Sequence, residues 1–115
     1  MKKLLILGAS MITLSGCVPW AQTVTQPLET TKNLQQEIAI SKAKETFQLK
    51  KAEGLNMNSG PCLENELMPD WVLDVVHNPR QAIDDKPENQ CAAFRDGKAH
   101  HFVELDTTGN IIKMY

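Results

Sequence analysis

The chain has 115 residues, 42% of them apolar and 23% charged, with 12 basic against 14 acidic side chains and a formal net charge of −2. That length leaves room for one small domain, and the charge balance excludes the basic stripe or patch of a nucleic-acid-binding surface. No internal repeat divides it.

Met1-Lys2-Lys3 is a short positive start, and Leu4 to Thr13 follows without a single charge. Such a run has the length of a signal-peptide core and is too short to span a bilayer, which takes about 20 apolar residues. Leu14-Ser15-Gly16-Cys17 comes next. These four residues, directly after the apolar run, resemble the lipobox of bacterial lipoproteins. The resemblance implies a diacylglyceryl group on the Cys17 thiol, cleavage between Gly16 and Cys17, and acylation such as palmitate on the new amino group. Residues 1–16 are then a lipoprotein signal peptide. Two or three acyl chains hold firmly where one alone is marginal. Val18, rather than Asp, follows the cysteine, and the resemblance then favours the periplasmic face of the outer membrane in a double-membraned bacterium. The leader carries two lysines and no acid, so the remaining 99 residues have 10 basic and 14 acidic side chains, a formal charge of −4.

Residues 17–32 read as lipid anchor and flexible tether, being rich in Thr and Gln, with Pro19, Pro27 and no sustained apolar period. Trp20 is either an aromatic resting at the headgroups or a solvated linker residue. Residues 33–115 form the expected domain. A helix is expected within Asn33 to Glu53, with Leu34, Ile38, Ile40, Ala43 and Phe47 as its apolar stripe. Asn33 or Ser41 is the candidate cap at its start, and Gly54 the stop at its end. Asn56 to Asp70, broken by Gly60-Pro61 and Pro69, reads as loop. Trp71 to His77 reads as a strand with Trp71, Leu73 and Val75 on one face. Asn78 to Cys91 is polar and turn-rich. His101 to Asp106 is a second strand with His101, Val103 and Leu105 on one face. Thr107-Thr108-Gly109-Asn110 is turn chemistry, with Gly109 free to take positive φ, and Ile111 to Tyr115 returns as the third strand. The expected class is α+β: one helix packed on a three-stranded antiparallel sheet, ending in a C-terminal β-hairpin.

Three cysteines occur. With Cys17 given to lipid, Cys62 and Cys91 remain, and in an oxidising compartment two such residues pair. The alternatives are free thiols or a share in a metal site.

The order helix, strand, hairpin, with Val103-Glu104-Leu105-Asp106 before Gly109-Asn110-Ile111-Ile112, resembles a PepSY-type module over roughly residues 36–115. The stretch between Cys62 and Cys91 is an insertion relative to that compact pattern. The resemblance implies one helix on a short antiparallel sheet and no catalysis; such modules are proposed to restrain proteases or bind peptides in the envelope.

Nothing in the sequence spells an enzyme or a cofactor site. There is no G-x-S-x-G, no phosphate-cradling glycine loop and no H-E-x-x-H, and a paired thiol is no nucleophile. Asp84, Asp85 and Glu88 fall in turns, where solvated or capping roles prevail. The leading expectation is a membrane-anchored module that binds an envelope protein or peptide, with Asn78, Arg80, Glu88, Asn89 and Gln90 as a loop presented beside the disulfide. The alternative is a metal-binding envelope protein using His77 and His101, with Cys62, Cys91, Asp74 and Glu104 as candidate companions. His100 and His101, being adjacent, would face opposite sides of a strand. A third reading is a structural lipoprotein without a specific surface.

Overall fold

The computed structural model describes Gly16 and residues 26–115. The leader, Cys17, Trp20 and the tether up to residue 25 lie outside the described residues. The class is α+β: one long helix lies on a sheet that ends in a C-terminal hairpin.

Helix α1 spans Gln26–Ala52, so residues 26–32 of the expected tether are helical. Ala39, Ala43 and Phe47, at i, i+4, i+8, are its buried residues. The seam lies to one side of the expected stripe: Leu34 and Ile38 are 55% and 40% exposed, because two alanines let the helix approach the sheet where longer side chains would not. The helix stops in a Schellman arrangement. Gly54, at φ 88°, donates to Lys51 O and Leu55 donates to Lys50 O, satisfying carbonyls that the last turn leaves open. No described helix is long and apolar enough to cross a membrane.

The sheet has four strands, one more than expected: β1 Cys62–Met68, β2 Trp71–Val75, β3 His101–Leu105 and β4 Ile111–Met114, in that spatial order. β1 runs antiparallel to β2 and β3 antiparallel to β4, while β2 and β3 are parallel. The sheet is therefore mixed. The parallel pair requires a crossover, and residues 76–100 supply it. β1 occupies residues expected to be loop: Cys-Leu-Glu-Asn-Glu-Leu-Met lacks β-branched residues, and two register shifts break the alternation of buried and exposed positions. It turns into β2 through Pro69 and Asp70, the latter at φ 71°.

β2 is buried at four of its five positions, as suits a strand covered on both faces. Its Trp71, Leu73 and Val75, with Val103 and Leu105 of β3 and Leu63 and Leu67 of β1, pack against α1. Gly109, at φ 94°, sits against the Phe47 ring, which a Cβ there would approach to 2.9 Å. The hairpin turn is held by Asp106, whose carboxylate accepts from the backbone of Thr108 and Asn110 and from both their side chains. Burial opposes that charge, but these bonds hold the carboxyl down at about 2.

On the opposite face Val72, Cys91 and Ala99 form a second, smaller core with Cys62, Ala93 and Phe102. Cys62 and Cys91 are bonded, with Cα atoms 5.0 Å apart. The link ties the start of β1 to the residue that precedes the one-turn helix α2, Ala92–Arg95.

Candidate functional site

Strand alternation sends Val72 and Asp74 of β2, and Phe102 and Glu104 of β3, to the face away from α1. The parallel register sets Val72 beside Phe102 and Asp74 beside Glu104. The crossover arches over these four without filling the space above them. A cleft of about 300 Å³ results, completed by Arg80, Gln90, Cys91, Phe94 and Arg95. Phe94 and Phe102 meet edge to face, with ring centroids 5.1 Å apart. The disulfide lies at one wall and fixes the arch to the sheet.

Two carboxyl groups side by side, one of them largely enclosed, set the electrostatics. Burial pushes the Asp74 carboxyl up to about 7, and the neighbouring Glu104 adds to the effect; the Val75 amide and the Arg80 charge only partly oppose it. Its Oδ1 is buried and has no hydrogen-bond partner. Arg80 is already committed, donating to Asp85 at 2.9 Å and to Glu104 at 3.4 Å. Arg95 donates to Pro87 O at 3.2 Å and lies 3.6 Å from Asp96.

Asp74 has a stability consequence with a definite sign. Its carboxyl ionises less readily folded than unfolded, so the folded state loses stability as the pH rises from the ordinary carboxylate range through about 7. Asp74→Asn is therefore expected to match the parent chain near pH 4 and to exceed it above pH 7 by about 2–3 kcal/mol, allowing for the part that water still reaches. Urea unfolding of both chains at pH 5 and pH 8 measures it; an equal difference at the two pH values rules the account out.

The expected binding loop is divided. Arg80 and Gln90 line the cleft. Asn89 instead ties the crossover together, donating to Ile83 O at 2.9 Å. Glu88 and Asn78 are exposed away from the cleft, the latter preceding a cis Pro79. Phe94, Arg95 and Phe102 are not among the expected site residues, and Asp74 and Glu104 are expected only as companions of the histidines in a metal site, not of Arg80 and Gln90. The available signal was one acid inside the otherwise apolar run Trp71 to Val76, with another at the matching place in Phe102 to Leu105.

The histidines do not assemble. His77 lies two residues beyond β2, where its Nδ1 is 2.9 Å from Asp84 Oδ1. His101 opens β3 beside Trp71, stacked on the indole at 4.7 Å. The ends of the five-residue strand pair stand about 13 Å apart at strand rise, with His77 beyond one end and His101 at the other, so the expected two-histidine metal site is not formed. His100 precedes β3 and is not sent to the opposite face. It meets Asp70 at 2.6 Å, with His101 3.6 Å from the same carboxylate. Among the described residues, no three His, Cys, Asp or Glu side chains stand together as a metal group.

Asp84 is the one buried charged residue among those described. Its Oδ2 accepts from the amides of His77 and Gln81, at 3.0 and 2.8 Å. Burial opposes its charge, but these bonds and the His77 ring hold the carboxyl below the usual range. It shapes the first bend of the arch and faces Gly60, whose φ is 65° and where a Cβ would collide with Asp84 Oδ1.

No family model, curated protein or solved structure matches the chain.

Proposed function

We propose that the chain is a non-enzymatic envelope module, held to a membrane by lipid on Cys17, that captures a protein or peptide segment in the Asp74–Glu104 cleft. The observation that carries the reading is the cleft itself. It has apolar walls, a few convergent polar groups, and a rim made by a loop that a disulfide pins to the sheet. Binding sites characteristically combine these features. The lipobox-like Leu14-Ser15-Gly16-Cys17 supports the membrane anchor, and Val18 favours the periplasmic face of an outer membrane. The PepSY-like order of elements points to the same kind of task, the binding of a protein or peptide.

Crosslinking in cells tests both halves. A photoreactive residue at Gln90, on the cleft, is expected to give a discrete adduct that the same group at the exposed Glu45 of α1 does not give. Palmitate labelling is expected to disappear in Cys17→Ser. Equal adducts from both positions, or none from Gln90, would sink the binding reading. Labelling that persists in Cys17→Ser would sink the anchor.

A further inference from the structure

Resting on that reading, we propose that the cleft is a receptor for one cationic side chain of the partner. An ammonium or guanidinium head pairs with Asp74 and Glu104, and its apolar stem lies among Val72, Phe94 and Phe102.

The uncommitted atom decides the ligand's polarity. Asp74 Oδ1 is buried with no partner, and a buried acceptor left unpaired is costly. The charge inventory agrees. Arg80 is answered by Asp85 and Glu104, and Arg95 by Asp96. Four acids around the cleft thus face these two arginines and Lys113 of β4, which stands opposite Glu104 in register and 5.7 Å over the Phe102 ring, and Asp74 alone has no ion pair. An incoming anion would have to displace an arginine from its carboxylate, whereas an incoming cation meets a carboxyl with one buried oxygen unpartnered and no ion pair.

The walls fit the rest of such a side chain. Val72, Phe94 and Phe102 are apolar and offer packing area for a methylene stem; the Phe102 ring is already engaged by Lys113 and Tyr115, so it contributes packing and the charge is met by the carboxylates. A volume of about 300 Å³ is at the small end of ligand sites. It suits a single long side chain rather than a folded segment.

Binding of a cation favours the ionised form of Asp74, so uptake is coupled to proton release. The groups that face Asp74 are Glu104 from β3, Arg80 and Asp84 from the crossover, and Arg95 from α2. Of these, Glu104 and Asp84 oppose its ionisation and Arg80 favours it.

The test titrates the full chain in detergent with n-butylammonium and n-butylguanidinium, following the backbone amides of residues 72–76 and 102–105 by NMR. Pentanamide is the neutral probe and butyrate the anionic one. Both cations are expected to shift these amides with millimolar saturation, and pentanamide to bind at least about tenfold more weakly. Cation affinity should rise about tenfold between pH 6 and pH 8, as Asp74 ionises. Asp74→Asn should abolish the shifts while keeping the dispersed amide spectrum. Should that variant fail to fold, Glu104→Gln is expected to weaken both cations about tenfold through loss of the second carboxylate.

Three results would overturn the proposal. One is pentanamide binding as tightly as the cations. Another is butyrate binding that Arg80→Gln removes. The third is no shift of the cleft amides by either cation up to about 50 mM. A Gln90 adduct in cells without cation binding in vitro would leave the binding module standing and remove only its cationic ligand. Cation binding without any Gln90 adduct would do the reverse.

Discussion

Replacing Cys62 and Cys91 together by serine is expected to lower the unfolding free energy by about 3–4 kcal/mol, the chain-entropy value for closing a loop of this size. The link joins residues 29 apart. It is a large share of the stability of a domain so small. The expected damage is also local. The second core contains Cys91 itself and rests on Val72 and Ala99, so the severed arch depends on the Phe94–Phe102 contact, the half-exposed Arg80–Glu104 pair and the bond from the Ala93 amide to Asn65. α1 and its partners Phe47, Leu73, Val75, Val103 and Leu105 form a separate cluster and should survive. Denaturant unfolding of the full chain with and without reductant, followed by amide exchange, measures both effects. The expected pattern is lost protection in residues 76–100 and retained protection in β2 and β3. Uniform loss over the whole chain would show instead that the link serves global stability only.

Asp84→Ala is expected to cost about as much or more, 3–5 kcal/mol by analogy with breaking other buried pairs. Two amides, those of His77 and Gln81, converge on Oδ2, and the His77 ring meets Oδ1. Alanine leaves all three without their acceptor in a place that water does not reach. Asp84→Asn is the informative companion. Its carbonyl oxygen can replace Oδ2, and its NH₂ group can face the ring nitrogen if that nitrogen is the unprotonated one. It should therefore recover about half of the loss. The pH dependence separates charge from shape. The Asp84 carboxyl is depressed in the fold, so its contribution is complete above the ordinary carboxylate range and fades as the pH falls through its folded value. Acid unfolding of Asp84→Asn should be less steep than that of the parent chain. Identical acid profiles would mean that the charge at position 84 contributes nothing.

Local chemistry made the C-terminal half legible. β3 and β4 follow the alternation of Val103 and Leu105 and a turn that needs Gly109. The end of α1 was legible because Gly54 is the residue a Schellman stop takes. Its beginning was not, since residues 28–32 are all exposed and carry no buried face to set a period. β1 escaped because its buried Leu63 and Leu67 have the polar, exposed Asn65 between them, so the apolar alternation that marks a strand is missing. The disulfide was readable from cysteine arithmetic. The cleft was only half readable. Arg80 and Gln90 lie near Cys91 in sequence, whereas Asp74 and Glu104 become neighbours only through a parallel pairing of residues 30 positions apart. No local pattern announces that register.

That parallel seam also dictates an order of assembly. Met68 pairs with Trp71 and Leu105 with Ile111, so each half of the sheet is a short-range hairpin that forms early. Joining them requires Trp71 to find His101 across the whole crossover, and closing so long a loop is the slow, entropically opposed step. Until it happens, β2 and β3 present unpaired apolar inner edges, the kind of surface on which chains aggregate. A cross-link from β1 to the residue before α2 folds most of that crossover back beforehand. A disulfide closed before that step shortens the interval in which those edges stand open to neighbouring chains.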